Sequence, residues 1–221
     1  MCSRIIEPSE AAAYLSSAFD REPRITVAGI AGPGDPFAQP WRTLEALYMV
    51  KKAFPSIILC LSSNGLSVPQ YVDRIADLGV TYMTITVNAV DPIIGSRVYK
   101  WIRPSGQRPL KGIDGARLLI SRQLESIRLL KARGIRVKVN SVIIPGVNHE
   151  HLIDIARVMS GLGVDLMNCI PLIPVKGTAF QRLSPPDRGL VTRIRRACSN
   201  FLPQMTHCVR CRADAVGLLE A

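Results

Sequence analysis

The sequence predicts an α/β fold built on a parallel sheet that helices cover. Short, near-continuously apolar segments alternate along the chain with segments whose apolar residues recur at helical spacing. Strands that alternate with helices in this way pair in parallel. Five such strands are found, and an eight-stranded barrel needs more. We therefore expect a partial barrel or an open sheet.

The predicted elements follow one another in regular order. Strands are expected at residues 25–30, 57–61, 80–87, 135–144 and 164–170. Helices are expected at residues 8–19, 41–54, 69–78, 116–133, 150–162 and 186–201. The stretch 93–115 is rich in Gly and Pro and is predicted to be irregular. A connection of that length is typical of a functional lid or binding segment.

Composition narrows the class of protein. No apolar run reaches transmembrane length and the first ten residues lack a signal-peptide core, so we expect a cytoplasmic protein without a membrane partner.

The chain has 28 Lys and Arg against 17 Asp and Glu, a net charge of +11. Basic residues concentrate at 117–138 and 187–196, where they form solvated faces or guide an anionic ligand or partner. Without a nucleic-acid motif or stacking aromatics among them, we expect no nucleic-acid partner.

The first strand runs into the loop Gly32-Pro33-Gly34-Asp35-Pro36. Two glycines in three residues let the backbone approach a ligand closely, and Asp35 supplies an acceptor for an ammonium or hydroxyl group. Loops at the carboxyl ends of strands are where α/β folds usually bind ligands. The alternative is a sharp turn that binds nothing.

Polar residues at the ends of all five strands support a ligand site. These residues are Asp35, Asn64, Asn88, Asn140 and Asn168. Because the carboxyl ends of parallel strands emerge at one edge, we expect them to converge there on a shared binding site.

Cysteine usage offers metal ligands. The six cysteines are Cys2, Cys60, Cys169, Cys198, Cys208 and Cys211. Cys208 and Cys211 form a CxxC after His207, which can hold zinc or an iron–sulfur cluster. Cys60, near the carboxyl end of its strand, is either a core thiol or a further ligand. Cys169 and Cys198 are interpreted as structural.

Six segments together resemble one family. They are VAGIAGPGDP, LCLSSNGL, TITVNAVDP, VKVNSVIIPGVN, NCIPLIP and HCVRCRADAVGLL, spread over nearly the whole chain. In content and order they resemble the nitrogenase iron–molybdenum cofactor biosynthesis proteins of the NifB type, which are radical S-adenosylmethionine (SAM) enzymes. GPGDP resembles the methionine-binding loop of radical SAM enzymes in general, whereas HCxxCRADAVG is specific to this family.

The resemblance implies a partial (βα)6 TIM-like barrel of the radical SAM type, with [4Fe–4S] clusters and SAM as cofactors. It also implies fusion of two [4Fe–4S] clusters into an eight-iron precursor that contains a SAM-derived carbide. Cluster donors and nitrogenase cofactor carrier or assembly proteins would be the partners.

Matched by position, the family's binding residues fall on residues already singled out. Gly32, Gly34 and Asp35 would contact the methionine end of SAM, and Asn88 and Asn140 would contact its ribose or carboxylate. Asn64, at the same edge, completes the candidate SAM set. Cys60 would bind one precursor cluster. Cys208 and Cys211 would bind the other.

The sequence departs from the family at one place. The family's first strand carries CxxxCxxC, which holds the SAM-cleaving cluster, and no such motif occurs in these 221 residues. We expect a radical SAM domain over 1–203 whose first strand is missing, followed by a cluster-binding tail over 204–221. The alternatives are a non-catalytic iron–sulfur scaffold or inactive fragment and, more weakly, a barrel fragment whose CxxC binds zinc.

Overall fold

A computed structural model describes residues 6–32 and 34–205. Its centre is a five-stranded sheet in which β1 to β5 lie side by side in chain order. The strands are β1 Val27–Ile30, β2 Ile58–Ser63, β3 Val80–Thr86, β4 Arg136–Ile143 and β5 Leu166–Pro171. All four neighbouring pairs are parallel. The predicted strands are thus confirmed, and their ends shift by two residues at most.

In the part of the chain that the structure describes, one helix precedes β1, five lie in the connections between the strands, and one follows β5. They are α1 Ala11–Arg21, α2 Pro40–Ala53, α3 Val72–Asp77, α4 Pro92–Val98, α5 Gly112–Ala132, α6 Leu152–Gly161 and α7 Arg188–Cys198. The six predicted helices are all present. Within the described ranges, no helix is long and apolar enough to cross a membrane.

The prediction of an irregular stretch over 93–115 was wrong at both ends. Helix α4 begins directly after Asp91, whose carboxylate accepts the N–H groups of Ile93 and Ile94 at 2.6 and 3.4 Å. An acidic cap followed by Pro at the first position starts a helix, and this signal was present in the sequence. Gly95 then lets α4 approach α5, because a Cβ there would lie 3.0 Å from that of Ala116.

The two faces of the sheet differ in chemistry. On the outer face, alternate strand residues such as Leu61, Met83 and Val139 are fully buried in the apolar core beneath the helices. The intervening residues point to the opposite side, which we call the inner face. The inner face carries Cys60, Ser62, Thr84, Thr86, Lys138, Asn140 and Asn168. Among the described residues the helices pack on the outer face, as in the wall of the partial barrel that the sequence predicted.

Candidate functional site

The glycine-rich loop is fastened to the end of β2 through Asp35. One carboxylate oxygen accepts the N–H of Phe37 at 2.9 Å, and the other accepts the N–H of Asn64 at 2.7 Å. Both oxygens lie within 3.1 Å of the Ser63 hydroxyl, which donates to the carboxylate. Asp35 thus holds the loop in place with three protein donors. Its predicted direct contact with a ligand stays a prediction.

Gly32 and Gly34 shape this loop through their backbone conformation. Their φ angles are +99° and +88°, a region that side chains other than glycine's strongly disfavour. Gly34 is exposed, and a Cβ added there would meet nothing within 4 Å. Gly34 therefore leaves open space beside its Cα, and the predicted contact of this loop with the methionine end of SAM stays a prediction.

Asn64 and Asn88 use their side-chain oxygens within the protein. Asn64 accepts the N–H of Leu66 at 2.7 Å in a turn, and its carbonyl accepts the Gln123 amide at 2.9 Å. Asn88 is buried and accepts the N–H of Val142 at 2.8 Å, which ties the end of β3 to β4. Both residues therefore support the edge of the sheet, and their contact with SAM stays a prediction.

Asn140 and Asn168 form a pair on the inner face. They are register partners on β4 and β5, and they are 6% and 1% exposed. Neither side-chain oxygen has a hydrogen-bond partner within residues 6–32 and 34–205. An unpaired buried acceptor costs about 1–3 kcal/mol, so native proteins rarely keep one without a function or a bound molecule. This pair is the strongest sign of a ligand site on the inner face.

The register places this pair level with the ends of two neighbouring strands. Asn140 is the fifth residue of the eight-residue β4, and Asn168 is the third residue of the six-residue β5. Asn140 pairs with Thr86, the last residue of β3, and Asn64 directly follows Ser63, whose partner is Ile85. The pair and Asn64 therefore lie at the level where β2 and β3 end, and their convergence on a shared binding site stays a prediction.

Cys60 lies on the inner face in the middle of β2, between the neighbours Gly29 and Tyr82. The prediction that it lies near the carboxyl end of its strand was wrong, because β2 continues to Ser63. Gly29 leaves room beside it, since a Cβ there would lie 3.7 Å from that of Cys60. The sequence analysis missed Gly29, although an isolated glycine within a strand often marks such close approach.

Basic residues also face the inner side. In the strand register, Arg136 is beside Tyr82 and two strands from Cys60, while Lys138 is beside Thr84. The Arg136 guanidinium lies 5.8 Å from the centre of the Tyr82 ring. None of the five strands contains Asp or Glu, so the inner face is electropositive and suits an anionic ligand. The sequence analysis did not single out these two cations.

Metal ligands are incomplete in the described part of the chain. Cys208 and Cys211 lie outside it, so their prediction as cluster ligands is not examined by the structure. Among residues 6–32 and 34–205, no three His, Cys, Asp or Glu side chains gather into a metal site. Cys60 is thus the one predicted ligand whose position is defined.

Cys169 and Cys198 are confirmed as structural residues. They are 1% and 0% exposed in the core between β5 and α7. The Cys169 thiol lies 3.3 Å from the Gln204 amide oxygen, and the Cys198 thiol lies 3.5 Å from the Leu152 carbonyl. The neighbouring Cys198 and burial raise the pKa of Cys169, which disfavours its thiolate form.

The sequence profile of the radical SAM superfamily matches residues 4–159. The chain therefore belongs to the radical SAM superfamily, whose members are SAM-dependent iron–sulfur enzymes. Within it, the chain is 42% identical over 98% of its length to the FeMo cofactor biosynthesis protein NifB of Chlorobaculum tepidum, and covers 51% of that protein. For NifB of Herbaspirillum seropedicae the identity is 44%, over 98% of this chain and 42% of the relative. The resemblance to NifB-type proteins is thus confirmed, and the chain spans about half the length of these relatives.

Solved structures show the same fold at low sequence identity. SuiB of Streptococcus suis matches with a TM-score of 0.64 at 13% identity, over 92% of this chain and 44% of that one. Methylornithine synthase PylB matches with a TM-score of 0.54 at 16% identity, over 89% of this chain and 60% of that one. The predicted fold class, a partial TIM-like barrel of the radical SAM type, is confirmed.

The cofactors of the superfamily are SAM and a [4Fe–4S] cluster. The described residues fit SAM, because Gly34 leaves open space and the side-chain oxygens of Asn140 and Asn168 have no donor among residues 6–32 and 34–205. They do not by themselves provide a cluster site, because three ligands are not found together among them.

Proposed function

We propose that this chain forms part of a radical SAM enzyme of nitrogenase cofactor biosynthesis. The reaction would join two [4Fe–4S] clusters and insert a SAM-derived carbide to give an eight-iron precursor. Identities of 40–44% to NifB proteins support this proposal. Its partners would be the proteins that donate clusters and those that carry the precursor to nitrogenase assembly.

In this proposal the inner face binds the nucleoside part of SAM. Asn140 and Asn168 present two buried acceptors in register on neighbouring strands, which suits N–H or O–H donors of the adenosine. The peptide groups around Gly34 bind the methionine end, and Asp35 keeps them in position through Ser63 and the end of β2. When bound with its cluster, SAM supplies a carbon-centred radical and a methyl group.

The precursor clusters are substrates that bind beside the nucleoside. Cys60 offers a thiolate to one of them, and Gly29 leaves space for it. Arg136 and Lys138 lie on the neighbouring part of the inner face. Their positive charges lower the free energy of an anionic, thiolate-bound cluster beside Cys60. Cys208 and Cys211 would bind the other cluster.

The observation that carries the proposal is the orphaned pair of amide oxygens, and SAM binding tests it. We expect Asn140→Ala and Asn168→Ala each to weaken SAM binding by roughly tenfold, because a lost hydrogen bond to a buried group costs about 1–1.5 kcal/mol. Isothermal titration of the chain with SAM measures this. Asn200→Ala serves as the control, because Asn200 is exposed just after the end of α7 and is not part of the candidate SAM site. Affinities unchanged in both inner-face variants would contradict the proposed site.

A second candidate is a non-catalytic iron–sulfur scaffold. In this candidate, Cys60, Cys208 and Cys211 would hold a cluster without cleavage of SAM. A scaffold would bind iron and sulfide after anaerobic reconstitution and show no SAM affinity, whereas the proposed enzyme domain binds both.

A further inference from the structure

A strongly basic segment follows β3 at the carboxyl edge of the sheet. Residues 92–113 contain five Lys and Arg and no Asp or Glu. Its outer part, residues 97–111, is here called the basic strap. The exposed cations of the strap are Arg97, Lys100, Arg103, Arg108 and Lys111. We propose that the basic strap is a docking surface for an acidic protein, a property that goes beyond the proposed reaction.

The strap is held in one conformation. The backbones of Ile102 and Leu110 pair in antiparallel fashion through two hydrogen bonds of 2.8 Å. Arg97 donates to the carbonyl of Gly146 at 2.7 Å, which fastens the strap to the loop after β4. The hydroxyl of Tyr99 is buried beneath it, and burial raises the pKa of Tyr99. A partner would therefore not have to order this surface on binding, which favours affinity.

Among residues 6–32 and 34–205, no acidic side chain forms an ion pair with a cation of the strap. Many cations elsewhere form ion pairs, such as Arg42 with Glu7 at 2.9 Å and Lys131 with Asp165 at 2.7 Å. No ion pair involves a strap residue within the described ranges. Their charge is therefore available to an external carboxylate, and long-range attraction would speed encounter with an acidic surface.

Trp101 adds the kind of contact that stabilises protein interfaces. Its side chain is 50% exposed, and the Arg103 guanidinium lies 5.5 Å from the centre of its ring. Trp and Arg are the residues that contribute most to binding energy at interfaces. A partner would bury the indole ring of Trp101, and one of its carboxylates would pair with Arg103 at the same place.

An acidic protein fits this surface better than a nucleic acid does. Trp101 is an exception to the expectation that no aromatic residue lies among the basic ones, so single-stranded nucleic acid is the alternative. A base would have to stack on the indole, but Arg103 lies over that ring. The same guanidinium is free to bind a carboxylate through two parallel hydrogen bonds.

The fluorescence of Trp101 provides the test. In a Trp41→Phe background, Trp101 is the single tryptophan, since the chain has two. The probe is poly-L-glutamate of defined length, titrated into the 221-residue chain at fixed salt. The strap variant carries Lys100→Glu and Arg103→Glu. The control carries Arg193→Glu and Arg196→Glu on the exposed face of α7, which is the same change in charge.

We expect poly-L-glutamate to change the Trp101 fluorescence and the strap variant to bind at least about tenfold more weakly, with the control close to the parent chain. Circular dichroism confirms that both variants are folded. Equal losses of affinity for poly-L-glutamate in both variants would mean that only the net charge matters. An unchanged affinity in the strap variant would mean that the polymer binds elsewhere on the protein. Tighter binding of oligo-dT than of poly-L-glutamate at the same salt would replace the acidic protein with a nucleic acid. Each of these three results overturns the proposal.

Discussion

At the centre of the glycine-rich loop, three donors from two segments share the carboxylate of Asp35. Its partners Ser63 and Asn64 lie 28 and 29 residues away along the chain. A charged acceptor with several short hydrogen bonds fixes the geometry of a loop more firmly than a turn sequence alone. At the scale of single residues, the loop therefore keeps the shape that a ligand needs because Asp35 is used inside the protein.

Substitution of Asp35 should lower the free energy of unfolding even when no ligand is bound, because its carboxylate bonds to other residues of the protein. We expect Asp35→Ala to lower the free energy of unfolding by about 1.5–3 kcal/mol, because hydrogen bonds to a charged group are lost. Urea denaturation measures the loss. Ser63→Ala removes one donor and should cost about 1 kcal/mol. Because Ser63 acts through Asp35, the double variant should lose less free energy of unfolding than the sum of the two single losses. Strictly additive losses would contradict the inference that Ser63 stabilises the protein through the Asp35 carboxylate.

At the scale of elements, Asp165 joins α5 to the start of β4. One of its carboxylate oxygens accepts the N–H of Val137 and the ammonium of Lys131, both at 2.7 Å. Burial is the largest single influence and raises the pKa of Asp165, but the hydrogen bonds from Lys131 and Val137 and the charges of Lys131 and Arg136 together outweigh it and lower the pKa. The charged form of Asp165 is therefore favoured in the folded state.

This shift predicts an acid-dependent contribution to stability. A carboxyl group whose pKa is lowered on folding stabilises the protein above its unfolded pKa, which is about 3.9, and the contribution disappears as the pH falls through the lower folded value. We expect Asp165→Asn to be less stable than the parent at pH 6 and the difference to shrink below about pH 4. Urea denaturation at several pH values measures it. A difference that does not depend on pH would show that the carboxylate charge is not involved.

At the scale of the whole molecule, the chain has the sheet of a radical SAM domain, and three cluster ligands are not found together among residues 6–32 and 34–205. It spans 51% of the NifB of Chlorobaculum tepidum. Its 221 residues contain no CxxxCxxC motif to hold a cluster with an iron that is open to SAM. Without that cluster no electron can reach the sulfonium of SAM.

We expect the 221-residue chain, reconstituted with iron and sulfide and then reduced, to release no 5′-deoxyadenosine from SAM. Fusion of the family's CxxxCxxC segment in frame before Met1 should restore the release. Chromatography of the products measures both. Deoxyadenosine from the short chain would contradict this prediction, and none from either protein would favour the scaffold.

Much of the fold follows from local sequence. The alternation of strands and helices is visible in the periodicity of each segment, because side-chain spacing depends only on local backbone geometry. The start of α4 was missed although Asp91 and Pro92 signal it, since the surrounding Gly and Pro residues suggested a loop. The glycine-rich loop was also recognisable from residue type and order.

The sequence by itself thus determined the parallel α/β architecture, the family and the residue types of the site. Only the tertiary structure decided which residues share a face. Asn140 and Asn168 are brought together by the register of β4 and β5, and Gly29 meets Cys60 through the register of β1 and β2. The physical reason is that register depends on packing between segments far apart in the chain, and a shift of one residue would move every side chain to the other face.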